Sequence, residues 1–366
     1  MNYLSPYQLK PYNFSITPAV GVTGSRGPSP AVKLLYKNIL KTRFLGQVAD
    51  FGAGIGLLSL PLTRYAKLVY SVEWDIRSFN ALTKNIEDNS LTNIIPVFSD
   101  NLSQLSYFDQ IIINAPVHLG REAILNMIHQ AHQKMNYEQQ LYFIAKRNFG
   151  AKWYHQYLKK LFKLVEVLDI SGGFRTLCCS GKNNFSYPHY TRLISNRYKQ
   201  RLYKFKTMPG IFSRKRIDPG SKILIEKLKP RGTLIDFGAG YGAMGISLSE
   251  KCEKVIMSEC NLTAFRCLWH NLGINEVDNC EICLSGNLYN YPPHLADFFI
   301  VNPPTHSGGN TADLIISEAH RLLKTGGQML CVVFRPGSYY QRMKNLFENA
   351  EITAVNNYSI ISSVKL

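Results

Sequence analysis

Acidic residues are scarce in this chain of 366 residues: 25 Asp and Glu stand against 42 Lys and Arg, a formal net charge of +17. A chain this basic suits a polyanionic partner, because a positive field raises the encounter rate with phosphate backbones. No apolar run approaches the roughly 18 residues needed to cross a bilayer, which excludes a transmembrane helix from the reading. The stretch Met1 to Pro11 lacks the charged-then-apolar pattern of a signal peptide, so a cytoplasmic protein is expected. The 8 cysteines lie scattered, with Cys178-Cys179 adjacent and a single Cys280-x-x-Cys283. Without a second pair they read as free thiols in a reducing compartment, and no metal site is expected. The remaining composition, 45% hydrophobic and 18% charged, is that of a folded protein.

What the chain does have, it has twice. Asp50-Phe51-Gly52-Ala53-Gly54-Ile55-Gly56 recurs as Asp236-Phe237-Gly238-Ala239-Gly240-Tyr241-Gly242, offset by 186 residues (236 − 50). Asn114-Ala115-Pro116-Val117-His118-Leu119-Gly120 answers Asn302-Pro303-Pro304-Thr305-His306-Ser307-Gly308, offset by 188 (302 − 114). Glu73 maps to Glu259 and Asn101 to Asn287 at the first offset, Arg147 to Arg335 and Ser25-Arg26 to Ser213-Arg214 at the second. Motifs repeating in order at so long a period mean a duplicated domain rather than a solenoid, whose repeats run to about 20–50 residues. Two domains are expected, 1–190 and 208–366, joined by a linker over 191–207.

Around that linker the charge is concentrated. Arg192, Arg197, Lys199, Arg201, Lys204, Lys206, Arg214, Lys215 and Arg216 follow one another with no acid among them, interleaved with Tyr198, Tyr203, Phe205 and Phe212. Cations pair with phosphates and aromatic faces stack on unpaired bases, so these nine are the candidate RNA-binding residues.

Each half then begins an α/β unit. An apolar run (Gln47-Val48-Ala49; Thr233-Leu234-Ile235) leads into the glycine cluster, which opens onto helix-like sequence. The next apolar run ends in an acid, Glu73 or Glu259, placed to accept hydrogen bonds from ribose hydroxyls. Glycine turn and acid alone fit either a nicotinamide dinucleotide or S-adenosylmethionine. Phe298-Phe299-Ile300-Val301 running into Asn302-Pro303-Pro304 breaks the tie. Prolines fix the backbone and cannot donate, leaving the Asn302 side-chain carbonyl and the Pro303 backbone carbonyl as neighbouring acceptors for an exocyclic amine. The set indicates class I methyl transfer to such an amine, with Asn302, Pro303 and Pro304 as catalytic residues.

The C-terminal half also carries Pro209-Gly210-Ile211-Phe212-Ser213-Arg214 with Ile217-Asp218-x-Gly220-Ser221. With DFGAGYG, Asn287 and NPPTHSGG, it resembles the catalytic domain of the tandem-domain bacterial ribosomal RNA guanine-N2 methyltransferases. The resemblance implies two Rossmann-like, doubly wound, mostly parallel sheets, each of seven strands with the last antiparallel. It implies S-adenosylmethionine held by Asp236, Gly238, Gly240, Gly242, Glu259 and Asn287, with Asp218 and Ser221 in a segment that closes the pocket. Ribosomal RNA or a ribosomal subunit is the implied partner. Where the family carries an aromatic ring on the target base, this chain has Thr305, so Phe212, Phe334 or Tyr339 must substitute. The N-terminal half keeps a possible second cofactor site in Asp50, Gly52, Gly54, Gly56, Glu73 and Asp100, with Trp74 beside the adenine, but its loop Asn114-Ala115-Pro116-Val117 is eroded. His118 and His306 are read as structural. Adenine-N6 or glutamine-amide methylation, and a non-catalytic RNA-binding assembly factor, stand as alternatives.

Overall fold

Short apolar runs such as Ile111-Ile112-Ile113 and Phe299-Ile300-Val301 become central strands covered on both faces, as a parallel sheet requires. The computed structural model describes residues 3–41, 45–303 and 309–366. By internal contact the chain divides into two compact units, one ending at Tyr190 and the other beginning at Thr191.

The first unit opens with a hairpin of β1 (Tyr7–Leu9) and β2 (Phe14–Ile16). There follow α1 (Pro30–Lys41), β3 (Gln47–Phe51), α2 (Ser59–Leu62), β4 (Leu68–Glu73), α3 (Ile76–Asp88) and β5 (Ile94–Phe98). The unit closes with β6 (Gln110–Asn114), α4 (Arg121–Lys134), β7 (Gln140–Lys146), α5 (Ala151–Leu161), β8 (Phe162–Ser171) and β9 (Phe174–Lys182). Its 7-stranded sheet has the order β5-β4-β3-β6-β7-β9-β8, parallel except for β9, which runs antiparallel to both neighbours. Residues alternate between the faces: Val48, Ile112 and Ile144 enter one core, Ala49, Ile111 and Phe143 the other.

The second unit repeats this. A hairpin of β10 (Arg192–Tyr198) and β11 (Arg201–Thr207) precedes α6 (Pro219–Lys227), β12 (Thr233–Phe237), α7 (Ala243–Leu248), β13 (Lys254–Glu259) and α8 (Leu262–Ile274). Then come β14 (Cys280–Leu284), β15 (Ala296–Val301), α9 (Gly309–Leu322), β16 (Leu323–Val333), α10 (Gly337–Phe347), β17 (Glu351–Val355) and β18 (Tyr358–Val364). The 7-stranded order is β14-β13-β12-β15-β16-β18-β17, with β18 antiparallel. The expected architecture is present in both units. No helix among the described residues is long and apolar enough to cross a membrane.

The segment expected as a linker is instead folded into the second unit. A pair of asparagines one turn apart, Asn271 in α8 and Asn275 just past its end, ties β11 to the helix. Asn271 accepts from Lys206 N–H (2.7 Å) and donates to its carbonyl (3.0 Å); Asn275 does the same for Lys204 (3.0 and 2.8 Å). Four residues of helix rise about 6.0 Å and two of strand about 6.8 Å, so the amides meet alternate peptides of the strand edge. In the first unit Asn85 of α3 and Asn89 just past it accept from Thr17 N–H (2.7 Å) and Ser15 N–H (2.8 Å); Asn89 also donates to the Ser15 carbonyl (2.8 Å), while the Asn85 amide donates to the Ile55 carbonyl (3.0 Å). The hairpin therefore belongs to the repeat.

Candidate active site

In each sheet the strand order reverses beside the first strand of the α/β unit, the switch point where doubly wound sheets bind ligands outside their carboxyl ends. In the second unit β12 lies between β13 and β15, with Phe237 paired to Ser258 on one side and Val301 on the other. Gly238 and Asn302 thus leave neighbouring strands, about 4.8 Å apart, at the same end. The loop after β12 is hung from β13: Gly238 and Ala239 N–H both reach the Ser258 carbonyl at 2.9 Å. Glu259, buried at the end of β13, accepts from Gly240 N–H with Oε2 (2.8 Å) and from Cys260 and Asn261 N–H with Oε1 (2.8 Å each). Three backbone donors, two on Oε1 and one on Oε2, fix the carboxylate in place.

The glycines divide their work. Among the described residues, a Cβ on Gly238 or Gly240 would meet nothing within 4 Å, so the loop is open there. Gly242, at φ 93°, would strike Leu268 and Ile246, and serves packing of α7 instead. Asp236 is fully buried beneath the loop, its Oδ2 accepting from Gly245 N–H at 2.8 Å and its Oδ1 without a partner among the described residues. Burial pushes its carboxyl up to about 7. It braces the loop and α7 from within, where a ligand-contacting residue was expected. Asn287 stabilises its own turn, its Oδ1 accepting from Tyr289 N–H at 3.4 Å.

Asp218 and Ser221, expected with the cofactor residues, meet Asn302. The Asn302 Nδ2 donates to Asp218 Oδ2 at 2.8 Å and to Ser221 Oγ at 2.9 Å. Pro304, Thr305 and His306 lie outside the described residues. Of the rings expected to substitute for Thr305, Tyr339 is buried in the core, whereas Phe212 and Phe334 are 66% and 52% exposed.

The first unit builds the same frame with other contents. Glu73 binds Gly54 N–H (2.7 Å), Trp74 N–H and Asp75 N–H (2.8 Å each), and burial raises it to about 7. Asp50 is buried on the Ser59 hydroxyl at 2.6 Å, and burial lifts it to about 6. Asp100 accepts from the Asn101 amide at 3.0 Å. The difference lies over the cradle. A Cβ on Gly52 would meet the Trp74 indole at 3.2 Å, where one on its counterpart Gly238 would meet none of the described residues within 4 Å. Trp74 packs on Phe51 edge to face, 5.6 Å between centroids, and Cys260 stands at the corresponding position of the second unit (186 residues on, 260 − 74). Burial lowers the His118 pKa, and His118 lies in a short turn of the eroded loop.

The basic hairpin also sorts its residues. Tyr203 and Phe205 point inward and are buried, so they offer no face to a base. Arg201 is spent on Glu250 and the Asn275 carbonyl. The outward face carries Leu193, Ser195 and Arg197 opposite Lys206, Lys204 and Leu202. Lys199 at the turn is exposed, as are Arg147 and Arg335 at the ends of their strands. The asparagine pairs were missed by the sequence reading. Their signal was available, since Asn85-x-x-x-Asn89 and Asn271-x-x-x-Asn275 repeat at the same offset as the glycine clusters.

Comparison with known proteins agrees with this arrangement. The family model for the methyltransferase small domain matches residues 13–178 and again 202–362. The chain belongs to that family. It is 27% identical over 194 residues to ribosomal RNA small subunit methyltransferase C of Vibrio parahaemolyticus, a match covering 51% of this chain and 57% of the relative. With ribosomal RNA large subunit methyltransferase G of Colwellia psychrerythraea it shares 24% over 351 residues, 87% of this chain and 86% of the relative. Against the small-subunit enzymes of this family, the match thus spans about half the relatives' length. A solved T. thermophilus 16S rRNA N2 G1207 methyltransferase, in complex with AdoMet and guanosine, superposes with a TM-score of 0.86 at 23% identity, covering 99% of this chain and 98% of that one. That likeness establishes the tandem fold.

Proposed function

We propose that this protein is a cytoplasmic, S-adenosylmethionine-dependent methyltransferase acting on the exocyclic N2 amine of a guanine in ribosomal RNA, free or within a subunit, and that its second unit carries the chemistry. The observation that carries this reading is the placement of the open glycine cradle, the fixed Glu259 and the Asn302-Pro303 corner at one end of three adjacent strands. The residues fit the cofactor. Gly238 and Gly240 leave room at the backbone, and Glu259 places a carboxylate at the end of β13, where ribose hydroxyls can donate to it.

Bound there, S-adenosylmethionine supplies an electrophilic methyl. Asn302 and Pro303 offer two carbonyl acceptors to the two N–H groups of the target. A guanine amine is a poor nucleophile because its lone pair is delocalised into the ring, and holding both hydrogens turns that pair towards the methyl. The nitrogen becomes acidic only after it has gained the methyl, so no strong base is required. Exposed Phe212 and Phe334 are available to stack on the base, a contact worth about 1–3 kcal/mol. The named relatives act on ribosomal RNA of either subunit, and the T. thermophilus neighbour was solved with AdoMet and guanosine, which supports the cofactor and the base. The cationic outer face of the β10–β11 hairpin supports a polyanionic substrate.

The test is transfer of isotope-labelled methyl to ribosomal subunits and free ribosomal RNA, with the product nucleoside identified by mass spectrometry, for wild type and Asn302→Ala. N2-methylguanosine that vanishes in the variant is expected. A different methylated nucleoside moves the substrate, and no label from cofactor-binding protein sinks the enzymatic reading.

A further inference from the structure

We infer that Asp218 and Ser221 are positioning residues: they lock the Asn302 amide with its nitrogen inward and its carbonyl outward, so that the site accepts only an N–H donor. The inference rests on the proposed methyl transfer to an amine and names what makes the site selective for one. An asparagine amide is two-sided, with two donors on nitrogen and an acceptor on oxygen. Turned one way it holds an amine, and turned the other way it holds a carbonyl or ring nitrogen. Nothing in Asn302 itself chooses.

Its neighbours do. The two hydrogens on Nδ2 are both taken, by Asp218 Oδ2 at 2.8 Å and Ser221 Oγ at 2.9 Å. A hydroxyl tolerates either orientation, whereas a carboxylate is an acceptor only. A flipped amide would set its oxygen against the Asp218 charge and leave that charge without its donor, so the orientation is one-sided. Asp218 is itself held. It caps α6, with Oδ2 accepting Ser221 N–H at 3.1 Å. Gly220 has no Cβ because one would lie 2.9 Å from the Tyr358 ring and 3.0 Å from Asp218 Oδ2. Three segments distant in sequence, 218–221, Asn302 and Tyr358, thus meet around one amide.

The first unit shows what remains when this task is absent. Pro219 maps to Pro30 at an offset of 189 (219 − 30), which places Ser29 at Asp218 and Val32 at Ser221. Ser29 still caps its helix, accepting Val32 N–H at 3.3 Å. Capping is kept, while the carboxylate and the hydroxyl that orient Asn302 have no equivalents at these positions for Asn114.

The test compares wild type, Ser221→Ala, Ser221→Thr and Asp218→Ser, the last retaining a capping residue as the first unit does. Single-turnover methylation of saturating ribosomal RNA is read beside the dissociation constant for S-adenosylmethionine. A freely turning amide misplaces the base, so Ser221→Ala and Asp218→Ser are expected to slow the methyl-transfer step by roughly 10- to 100-fold. Cofactor affinity should be unchanged, and Ser221→Thr should recover most of the rate. Rates equal to wild type in both variants overturn the inference and leave the methyltransferase reading standing. Cofactor affinity falling in step with the rate also overturns it, returning both residues to the cofactor. Ser221→Thr as slow as Ser221→Ala overturns the hydroxyl's part. A wild type that binds cofactor and methylates no RNA overturns the functional reading, and the inference with it.

Discussion

The two units share a scaffold down to single hydrogen bonds and differ at the places where chemistry would occur. Glu73 and Glu259 bind the same three backbone donors, and each unit ties a hairpin to its helix with two asparagines. Against that background the differences are few: Trp74 for Cys260, Ala115 for Pro303, Ser29 and Val32 for Asp218 and Ser221. Residues that support the loop and the sheet have been kept because each unit must still fold. A buried carboxylate or asparagine cannot be dropped without leaving its backbone partners unpaired, at a cost of about 1–3 kcal/mol each. Residues around the cradle and the Asn-Pro corner carry no such penalty, and it is among these that the two units have diverged.

The sharpest way to break this comparison is to make the same change in both units. Asn302→Ala is expected to reduce methyl transfer by at least roughly 100-fold, since it removes a positioned acceptor at the reacting amine. Asn114→Ala should leave transfer unchanged. Equal losses would mean that the first unit is catalytic as well, and the eroded loop would have to be reread.

Cofactor binding sharpens it next. Glu259→Ala removes charge-assisted hydrogen bonds, each worth about 1.5–3 kcal/mol, so affinity should fall roughly 10- to 100-fold. Glu73→Ala should not alter it, and the ratio of cofactor to chain at saturation should be one. Trp74→Cys gives the first unit the residue that stands at Cys260 and uncovers Gly52. If the indole alone closes that cradle, the ratio rises towards two, and calorimetry would count it.

Much of this was legible in the sequence. Glycine clusters and strand-end acids are read easily because each needs a particular residue at a particular place, and the duplication multiplies the signal. The hairpins were harder. Arg192 to Tyr198 alternates inward and outward residues, yet the outward positions mix leucine with cations, so the strand read as charged linker. Tyr203 and Phe205 were read as base-stacking rings for the same reason: interleaving with lysine is also what a half-buried strand looks like. Trp74 was expected beside an adenine and instead packs on Phe51 and against Gly52, since whether a ring lines a pocket or fills it depends on packing. The contact of Asp218 with Asn302 spans 84 residues and has no local signature.

The hairpins supply a smaller contrast. β1 and β2 contain no lysine or arginine, whereas β10 and β11 contain Arg192, Arg197, Arg201, Lys204 and Lys206. If the second hairpin meets phosphate, Arg197→Gln and Lys204→Gln should each weaken RNA binding and lower the slope of log affinity against log salt by about 0.7–0.9. Arg201→Gln, whose side chain holds Glu250 and the Asn275 carbonyl, should lower thermal stability without changing that slope.

The smallest expected difference concerns the buried aspartates. Burial raises Asp236 to about 7 and Asp50 to about 6, both above the ordinary 3.8. A carboxyl whose pKa is higher folded than unfolded holds its proton in the native state after the unfolded chain has lost it. Its contribution to stability is complete below about pH 4 and is lost as pH rises through the folded value. The loss should end near pH 6 for Asp50 and near pH 7 for Asp236, so that it runs further for Asp236. An amide at either position keeps an acceptor for the Ser59 hydroxyl or Gly245 N–H and has no charge to bury. Melting temperatures between pH 5 and 8 should therefore decline less steeply in Asp50→Asn than in wild type, and less steeply still in Asp236→Asn. Equal flattening would mean that the two loops bury their acids to the same degree, and that the units diverge only above the cradle.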